Sequence, residues 1–185
     1  MARKGKLNPV SYKAGKRVAT ARPHHARHLV DKIVSGGQTG VDRAALDFAI
    51  EHGIPHGGWC PQGRLAEDGV IEPAYALKET PDTAYPPRTE WNVRDSDGTA
   101  IFTIAPQLTG GSALTRDLAT GHGKPCLHLS QQRDGNSAAT KLRQFIQRHK
   151  IKTLNVAGPR LSTEPGARAF ASQVLEAWWR FGAKL

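Results

Sequence analysis

Three glycine-containing segments of the sequence have the residue types of an anion-binding site. They read SGGQTG at residues 35–40, TGGS at 109–112 and AGPR at 157–160. Glycine lets a ligand approach the backbone closely, free N–H groups at a helix N-terminus attract phosphate-like anions, and arginine donates to them through a planar fork. The predicted ligand-binding residues are Gly36, Gly37, Gln38, Thr39, Gly40, Asp42, Arg43, Arg64, Gly110, Gly111, Ser112, Thr115, Gly158, Pro159 and Arg160.

The elements around these segments predict that all three meet at one edge of a sheet. Predicted strands cover residues 32–35, 56–60, 99–105, 125–129 and 153–157. Predicted helices cover residues 41–50, 112–120 and 137–149 and a last stretch after residue 165. This alternation is typical of an α/β protein with a single doubly wound, mainly parallel sheet and helices on both faces. The carboxyl ends of parallel strands share one edge, and crevices at that edge bind ligands.

One segment, residues 61–97, departs from the alternation. It is rich in proline and turn residues, and only short pieces such as residues 75–79 have a regular pattern. Long irregular segments inside compact domains are usually functional or mobile. We therefore expect this segment to form a wall of the site.

Positive charge is concentrated at the start of the chain. Residues 1–32 hold nine Lys or Arg and one Asp, which is +8 of the formal net charge of +10. We predict a basic, disordered arm over residues 1–31 and one ligand-binding domain over residues 32–185. A nearly neutral body argues against a nucleic-acid-binding fold, so only the arm is expected to touch nucleic acid, and weakly.

The remaining composition predicts a cytoplasmic protein without a membrane segment or a metal site. No apolar run approaches the roughly 20 residues that span a bilayer, and the N-terminus lacks the apolar centre of a secretory signal. Cys60 and Cys126 are too far apart for a metal clip and are expected to be reduced. The segment DSDG at residues 95–98 resembles the start of a calcium loop, but Pro106 stands where the bidentate glutamate is needed.

As a set, seven segments resemble the molybdenum cofactor carrier family, from about residue 32 to residue 179. They are SGGQTGVDRAALDFAI, GGWCPQGRLAEDG, YALKET, RTEWNVRDSDGTAIF, LTGGSALT, GKP at residues 123–125 and LNVAGPR. That family is related, in circularly permuted form, to the lysine-decarboxylase-like phosphoribohydrolases. The resemblance implies a Rossmann-like sheet, a homo-oligomer, and binding of molybdenum cofactor (molybdopterin) with its terminal phosphate at the glycine loops. Molybdoenzymes are the implied acceptors.

Carriage of an intact cofactor and cleavage of a nucleoside monophosphate are the two alternatives. The phosphoribohydrolases have PGGxGTxxE, in which the glutamate helps to break the N-glycosidic bond. Aligned on Gly110 and Gly111, this chain has Asp117 at the glutamate. Ala113 and Leu114 occupy the Gly-Thr positions. The anion-binding glycines are thus present while the acid is shortened, so binding is favoured over hydrolysis and no catalytic residue is assigned. Asp117 is catalytic only in the hydrolase alternative, and a nucleotide sensor is the third possibility.

Overall fold

The computed structural model describes residues 30–182, and its centre is a five-stranded parallel sheet. The strands are β1 (Lys32–Val34), β2 (His56–Gly57), β3 (Trp59–Cys60), β4 (Leu65–Ala66), β5 (Gly69–Val70), β6 (Lys78–Glu79), β7 (Gly98–Thr103), β8 (Cys126–Ser130) and β9 (Thr153–Ala157). The central sheet has the order β2-β1-β9-β7-β8, with every neighbouring pair parallel. The carboxyl ends of its strands consequently face the same edge.

Helices cover both faces of the sheet, which confirms the predicted doubly wound α/β class. The helices are α1 (Val41–Glu51), α2 (Tyr85–Arg94), α3 (Gly110–Gly121), α4 (Gln131–Asp134), α5 (Ala138–His149) and α6 (Pro165–Gly182). Helices α1, α5 and α6 pack together over one face, and α2 and α3 pack together over the other.

The main core lies between the sheet and the group α1, α5 and α6. The sheet contributes alternate residues of β7, Ala100 and Phe102, while Ile101 between them belongs to the opposite face. From the helices, Phe48 and Trp178 contact each other with ring centroids 6.2 Å apart. Burial of these apolar side chains holds the three helices on the sheet.

Two predicted elements differ from the structure. The strand predicted at residues 56–60 is two strands, because the chain leaves the central sheet at Gly58 and β3 pairs with β6 instead of β1. The prediction that residues 61–97 are irregular is wrong for α2. Pro86 and Pro87 lie in the first turn of that helix, where the N–H group that proline lacks would have no helical partner.

Residues 1–29 and 183–185 lie outside the described part of the chain. The arm predicted at residues 1–31 falls almost entirely within the first of these ranges, so the arm and its boundary stay predictions. Among residues 30–182, no helix combines the length and the apolar character needed to cross a bilayer.

Candidate functional site

A cavity of about 270 Å³ lies at the carboxyl edge of the sheet and is lined by parts of all three glycine segments. The first segment contributes Gln38, which follows β1. The second, after β7, contributes the start of α3, and the third follows β9. The predicted site residues that line this cavity are Gln38, Gly110, Gly111, Ser112, Gly158, Pro159 and Arg160.

A smaller cavity of about 60 Å³ adjoins the first one. It contains three further predicted residues, Gly36, Asp42 and Thr115, and it shares Gly111 and Gly158 with the larger cavity. The structure therefore brings ten of the fifteen predicted residues to one place, since seven line the larger cavity and three more line the smaller one.

The other five predicted residues do not line either cavity among the residues described, and two of them are arginines with structural contacts. Arg43 pairs with Asp68 and donates from Nε to the Gly37 carbonyl at 3.2 Å. Arg64 donates to the carbonyls of Ile71, Leu77, Glu72 and Tyr75 at 2.8–3.2 Å. Its guanidinium thus closes the loop that follows β5 rather than facing the cavity.

The remaining three of these five hold the first loop against its neighbours. Gly37 packs beside Leu77 and Ile71. Thr39 donates from its hydroxyl to Glu67 and accepts from the backbone N–H of Leu161 at 3.1 Å. Gly40 lies directly against the backbone of the third loop, because a Cβ there would stand 2.5 Å from the Pro159 carbonyl oxygen.

Gln38 carries a buried hydrogen-bond donor in the wall of the larger cavity. Its Oε1 accepts from the backbone N–H of Thr39 at 3.0 Å and of Glu67 at 2.9 Å. Its Nε2 has no hydrogen-bond partner among the described residues, although the residue is only 6% exposed. A buried amide N–H without a partner costs free energy, so this group is suited to a ligand oxygen.

Arg88 is a cavity residue that the sequence analysis missed. It projects from α2, and its guanidinium crosses Gly36 so closely that a Cβ at residue 36 would overlap it. Its Nη1 lies 2.7 Å from the Asp42 carboxylate, and the two side chains are 15% and 5% exposed. The same carboxylate oxygen accepts from the Gln38 backbone N–H at 3.3 Å. Asp42 therefore holds both Arg88 and the first glycine loop in position.

Glu67 links the first loop to the third from the tip of the β4–β5 hairpin. Its carboxylate accepts from the hydroxyls of Thr39 and Ser162, and its Oε2 lies 4.0 Å from Arg160 Nε. Burial alone would raise the pKa of Glu67, but the hydrogen bonds from Ser162 and Thr39 lower it below its ordinary value. The carboxylate is thus ionised and bonded near neutral pH.

The wall contributed by β7 and the start of α6 supplies both hydroxyl and carboxylate groups. Thr103 donates to the Ala105 carbonyl at 2.6 Å, so its oxygen is an acceptor for His128 Nε2 at 2.7 Å. Burial lowers the pKa of His128, which favours the neutral ring. Glu164 accepts from the Ile104 backbone N–H at 2.7 Å and is the one carboxylate in the described lining of the larger cavity.

The mouth of the cavity is formed by the N-terminus of α3. Thr109 precedes this helix and makes no side-chain capping hydrogen bond, and Gly110 and Gly111 in the first turn are exposed. The first N–H groups of a helix have no partner within the helix. In α3 the N–H groups of Ser112 and Ala113 donate to the Thr109 carbonyl at 3.1 and 3.2 Å, so those of Gly110 and Gly111 are the ones suited to an anion at this position.

Nine lining residues were absent from the predicted set. They are Pro86, Arg88, Thr89, Thr103, Gln107, Thr109, Leu114, Thr163 and Glu164. Thr109 and Thr163 adjoin predicted loops, so the position of those loops was a usable signal. Arg88 had no such signal, because it lies on α2, which the proline-rich sequence led us to predict as irregular.

Asp117, the residue of the hydrolase alternative, lies on α3 but does not line either cavity. Its side chain is 62% exposed and pairs with Arg116 at 2.8 Å. The carboxylate that lines the cavity is instead Glu164, which comes from a different loop.

A group of potential metal ligands occurs away from the cavity, where α1 meets α6. Ligand atoms of Glu51, His52 and Glu176 lie within 4.8 Å of one another. His52 Nε2 and Glu176 Oε1 already form a hydrogen bond of 2.7 Å. That pairing accounts for two of the three groups, and we assign no metal to them.

The fold and the cavity define a Rossmann-like α/β protein with a cleft at the carboxyl edge of its sheet. The family model of the circularly permutated YpsA SLOG family matches residues 33–179, and the chain belongs to this family. The chain is also 49% identical to a protein from Syntrophus aciditrophicus SB whose structure is described as "Putative molybdenum carrier protein". That similarity has a TM-score of 0.79 and covers 81% of this chain and 95% of the other. No curated protein matches the chain.

These comparisons confirm the resemblance identified in the sequence. Together with the cavity they support a ligand-binding role.

Proposed function

We propose that this protein binds molybdenum cofactor in the larger cavity and releases it intact. The observation that carries the proposal is the buried Gln38 Nε2, which has no hydrogen-bond partner among residues 30–182 and belongs to a residue that lines the cavity together with Arg88 and Arg160. A phosphorylated heterocycle supplies oxygen acceptors for such donors. The name of the Syntrophus relative favours molybdenum cofactor among ligands of this class.

The distribution of charge fits a ligand whose phosphate lies at the cavity mouth. The exposed first turn of α3 and the half-exposed Arg160 side chain are both there. A helix N-terminus and a guanidinium are two of the usual phosphate-binding groups in proteins. The volume of about 270 Å³ is near the lower limit of small-molecule sites, so part of a large cofactor would extend beyond the mouth.

Carriage rather than cleavage is supported by the position of the acidic groups. A carrier needs donors around its ligand but no acid at a scissile bond. Asp117 is exposed and outside the cavity, and Glu164, the carboxylate that does line it, accepts from the Ile104 backbone N–H at 2.7 Å. A phosphoribohydrolase-like enzyme and a nucleotide sensor are the alternatives, and release of free base from a nucleoside monophosphate would favour the enzyme.

Three associated properties stay predictions. The resemblance implies a homo-oligomer and delivery to molybdoenzymes, and the sequence predicts a cytoplasmic protein.

Arg160→Ala is expected to weaken binding of molybdenum cofactor by about 1–3 kcal/mol, because it removes a charge-assisted hydrogen bond to the phosphate. Isothermal titration calorimetry measures the effect. Arg116→Ala is the matched control, since Arg116 is similarly exposed, 50% against 46% for Arg160, but does not line the cavity. Equal affinity of the wild type and Arg160→Ala would contradict the proposed position of the phosphate. Absence of any binding by the wild type would contradict the proposed function.

A further inference from the structure

The orientation of the Gln38 side-chain amide is determined by its surroundings. The two groups that contact its Oε1, the backbone N–H of Thr39 and of Glu67, are both donors. An amide turned by 180° would oppose two N–H groups with its own NH₂ group. The oxygen must therefore face the backbone, and the NH₂ group points away from these two N–H groups, on a residue that lines the cavity.

Gln38 and the phosphate-binding groups lie at different depths. Gln38 is 6% exposed and Thr103, which lines the same cavity, is 2% exposed, whereas Gly110, Gly111 and Arg160 are exposed. Burial of an ionised phosphate costs far more than burial of a neutral ring that is hydrogen-bonded. A phosphorylated heterocycle is thus expected to enter with its ring first and to keep its phosphate at the mouth.

We propose that Gln38 is a specificity-determining residue, and that its Nε2 donates to a carbonyl oxygen on the ligand ring. The inference rests on the proposed function, because it assumes that the phosphorylated heterocycle binds in this cavity. It goes further by selecting among heterocycles. A ring with a carbonyl at this position accepts the hydrogen bond, and a ring with an amino group there places a donor against a donor.

The selection separates two classes of ligand. The pterin of molybdenum cofactor and the base guanine share an aminopyrimidinone ring with one carbonyl, and hypoxanthine keeps that carbonyl without the amino group. Adenine has an amino group in its place. A ring without the carbonyl leaves the buried donor without a partner. Such a ligand binds much more weakly, because the unpaired donor stays desolvated.

The inference is tested with nucleoside monophosphates as probes, by titration calorimetry on the full-length protein. Inosine monophosphate has a carbonyl at the position where adenosine monophosphate has an amino group. Guanosine monophosphate has the carbonyl and matches the pterin ring more closely. We expect the wild type to bind the inosine and guanosine nucleotides at least about tenfold more tightly than the adenosine nucleotide. Equal affinity for the inosine and adenosine nucleotides would overturn the inference, whatever the behaviour of any variant.

Gln38→Glu is the complementary variant. One carboxylate oxygen can still accept from Thr39 and Glu67, while the other replaces the NH₂ group that faces the ligand. We expect at least a tenfold loss for the inosine nucleotide and a smaller loss or a gain for the adenosine nucleotide, so that the preference disappears or reverses. Thermal unfolding without a probe establishes that the variant is folded.

Gln107→Glu controls for the added charge. Gln107 lines the same cavity but is exposed, so the negative charge there should weaken all three nucleotides alike and should do so less at high salt. If Gln38→Glu also weakened binding of all three nucleotides equally, Gln38 would face the phosphate and the inference would be wrong. Failure of the wild type to bind the inosine and guanosine nucleotides would also refute it. The proposed function itself fails only if molybdenum cofactor does not bind either.

Discussion

Asp42→Ala is expected to lower the free energy of unfolding by about 3–5 kcal/mol, measured by urea denaturation. The Asp42 and Arg88 side chains are 5% and 15% exposed and lie 2.7 Å apart, so removal of the carboxylate leaves a largely buried guanidinium without this partner. The backbone N–H of Gln38 also loses its acceptor. Because both groups belong to the cavity wall, ligand binding should weaken together with stability.

Asp47→Ala provides the comparison for this prediction. Asp47 lies on the same helix and also pairs with an arginine, Arg168, at 2.9 Å, but the two side chains are 41% and 45% exposed. An exposed ion pair contributes roughly 0–1 kcal/mol, to which the hydrogen bond from Tyr75 adds a similar amount. If Asp42→Ala lowered the free energy of unfolding no more than Asp47→Ala, burial of the Asp42–Arg88 pair would not explain its contribution to stability.

Gly40→Ala is expected to destabilise the protein by about 2–5 kcal/mol, and to impair ligand binding in the fraction that folds. Gly40 has φ 82° and ψ −127°, a conformation that residues with a Cβ rarely adopt. A Cβ would also stand 2.5 Å from the Pro159 carbonyl oxygen and 2.9 Å from the Leu161 nitrogen. Both are backbone atoms, so the first and third loops would have to separate.

Gly53→Ala separates the cost of the backbone conformation from the cost of the close contact between loops. Gly53 has φ 64°, and no atom lies within 4 Å of the position that its Cβ would occupy. This variant should cost only the conformational penalty, roughly 1–2 kcal/mol. If Gly40→Ala and Gly53→Ala shift the urea midpoint equally, close contact between the loops is not important for stability.

The sequence predicted the helices and strands that are marked by a pattern of nearby residues. Val41, Ala45 and Phe48 repeat at helical spacing, and all three are buried on α1 as expected. The same reasoning failed for α2, because Pro86 and Pro87 usually interrupt helices and are tolerated only at a helix start. The helix packs against α3, a long-range contact that the local sequence pattern does not show.

The candidate cavity could be located from the sequence only through its glycine-rich loops. Glycine-rich loops after strands indicated where the ligand would approach, and ten of the predicted residues lie at the two adjoining cavities. The partners of those loops come from distant segments. Arg88 reaches Asp42 from 46 residues away, and Glu67 reaches Ser162 from 95 residues away. Arg64 shows the opposite error, since its position beside a turn suggested an anion while its donors bind backbone carbonyls.

Native mass spectrometry of the protein purified from its own cells tests the central claim most directly. The account predicts a non-covalent adduct with the mass of molybdenum cofactor or of its pterin part, retained by the wild type and Arg116→Ala but depleted in Arg160→Ala. A wild-type protein without any phosphorylated heterocycle, or an adduct equally abundant in Arg160→Ala, would contradict the assignment of the cavity as a cofactor-binding site.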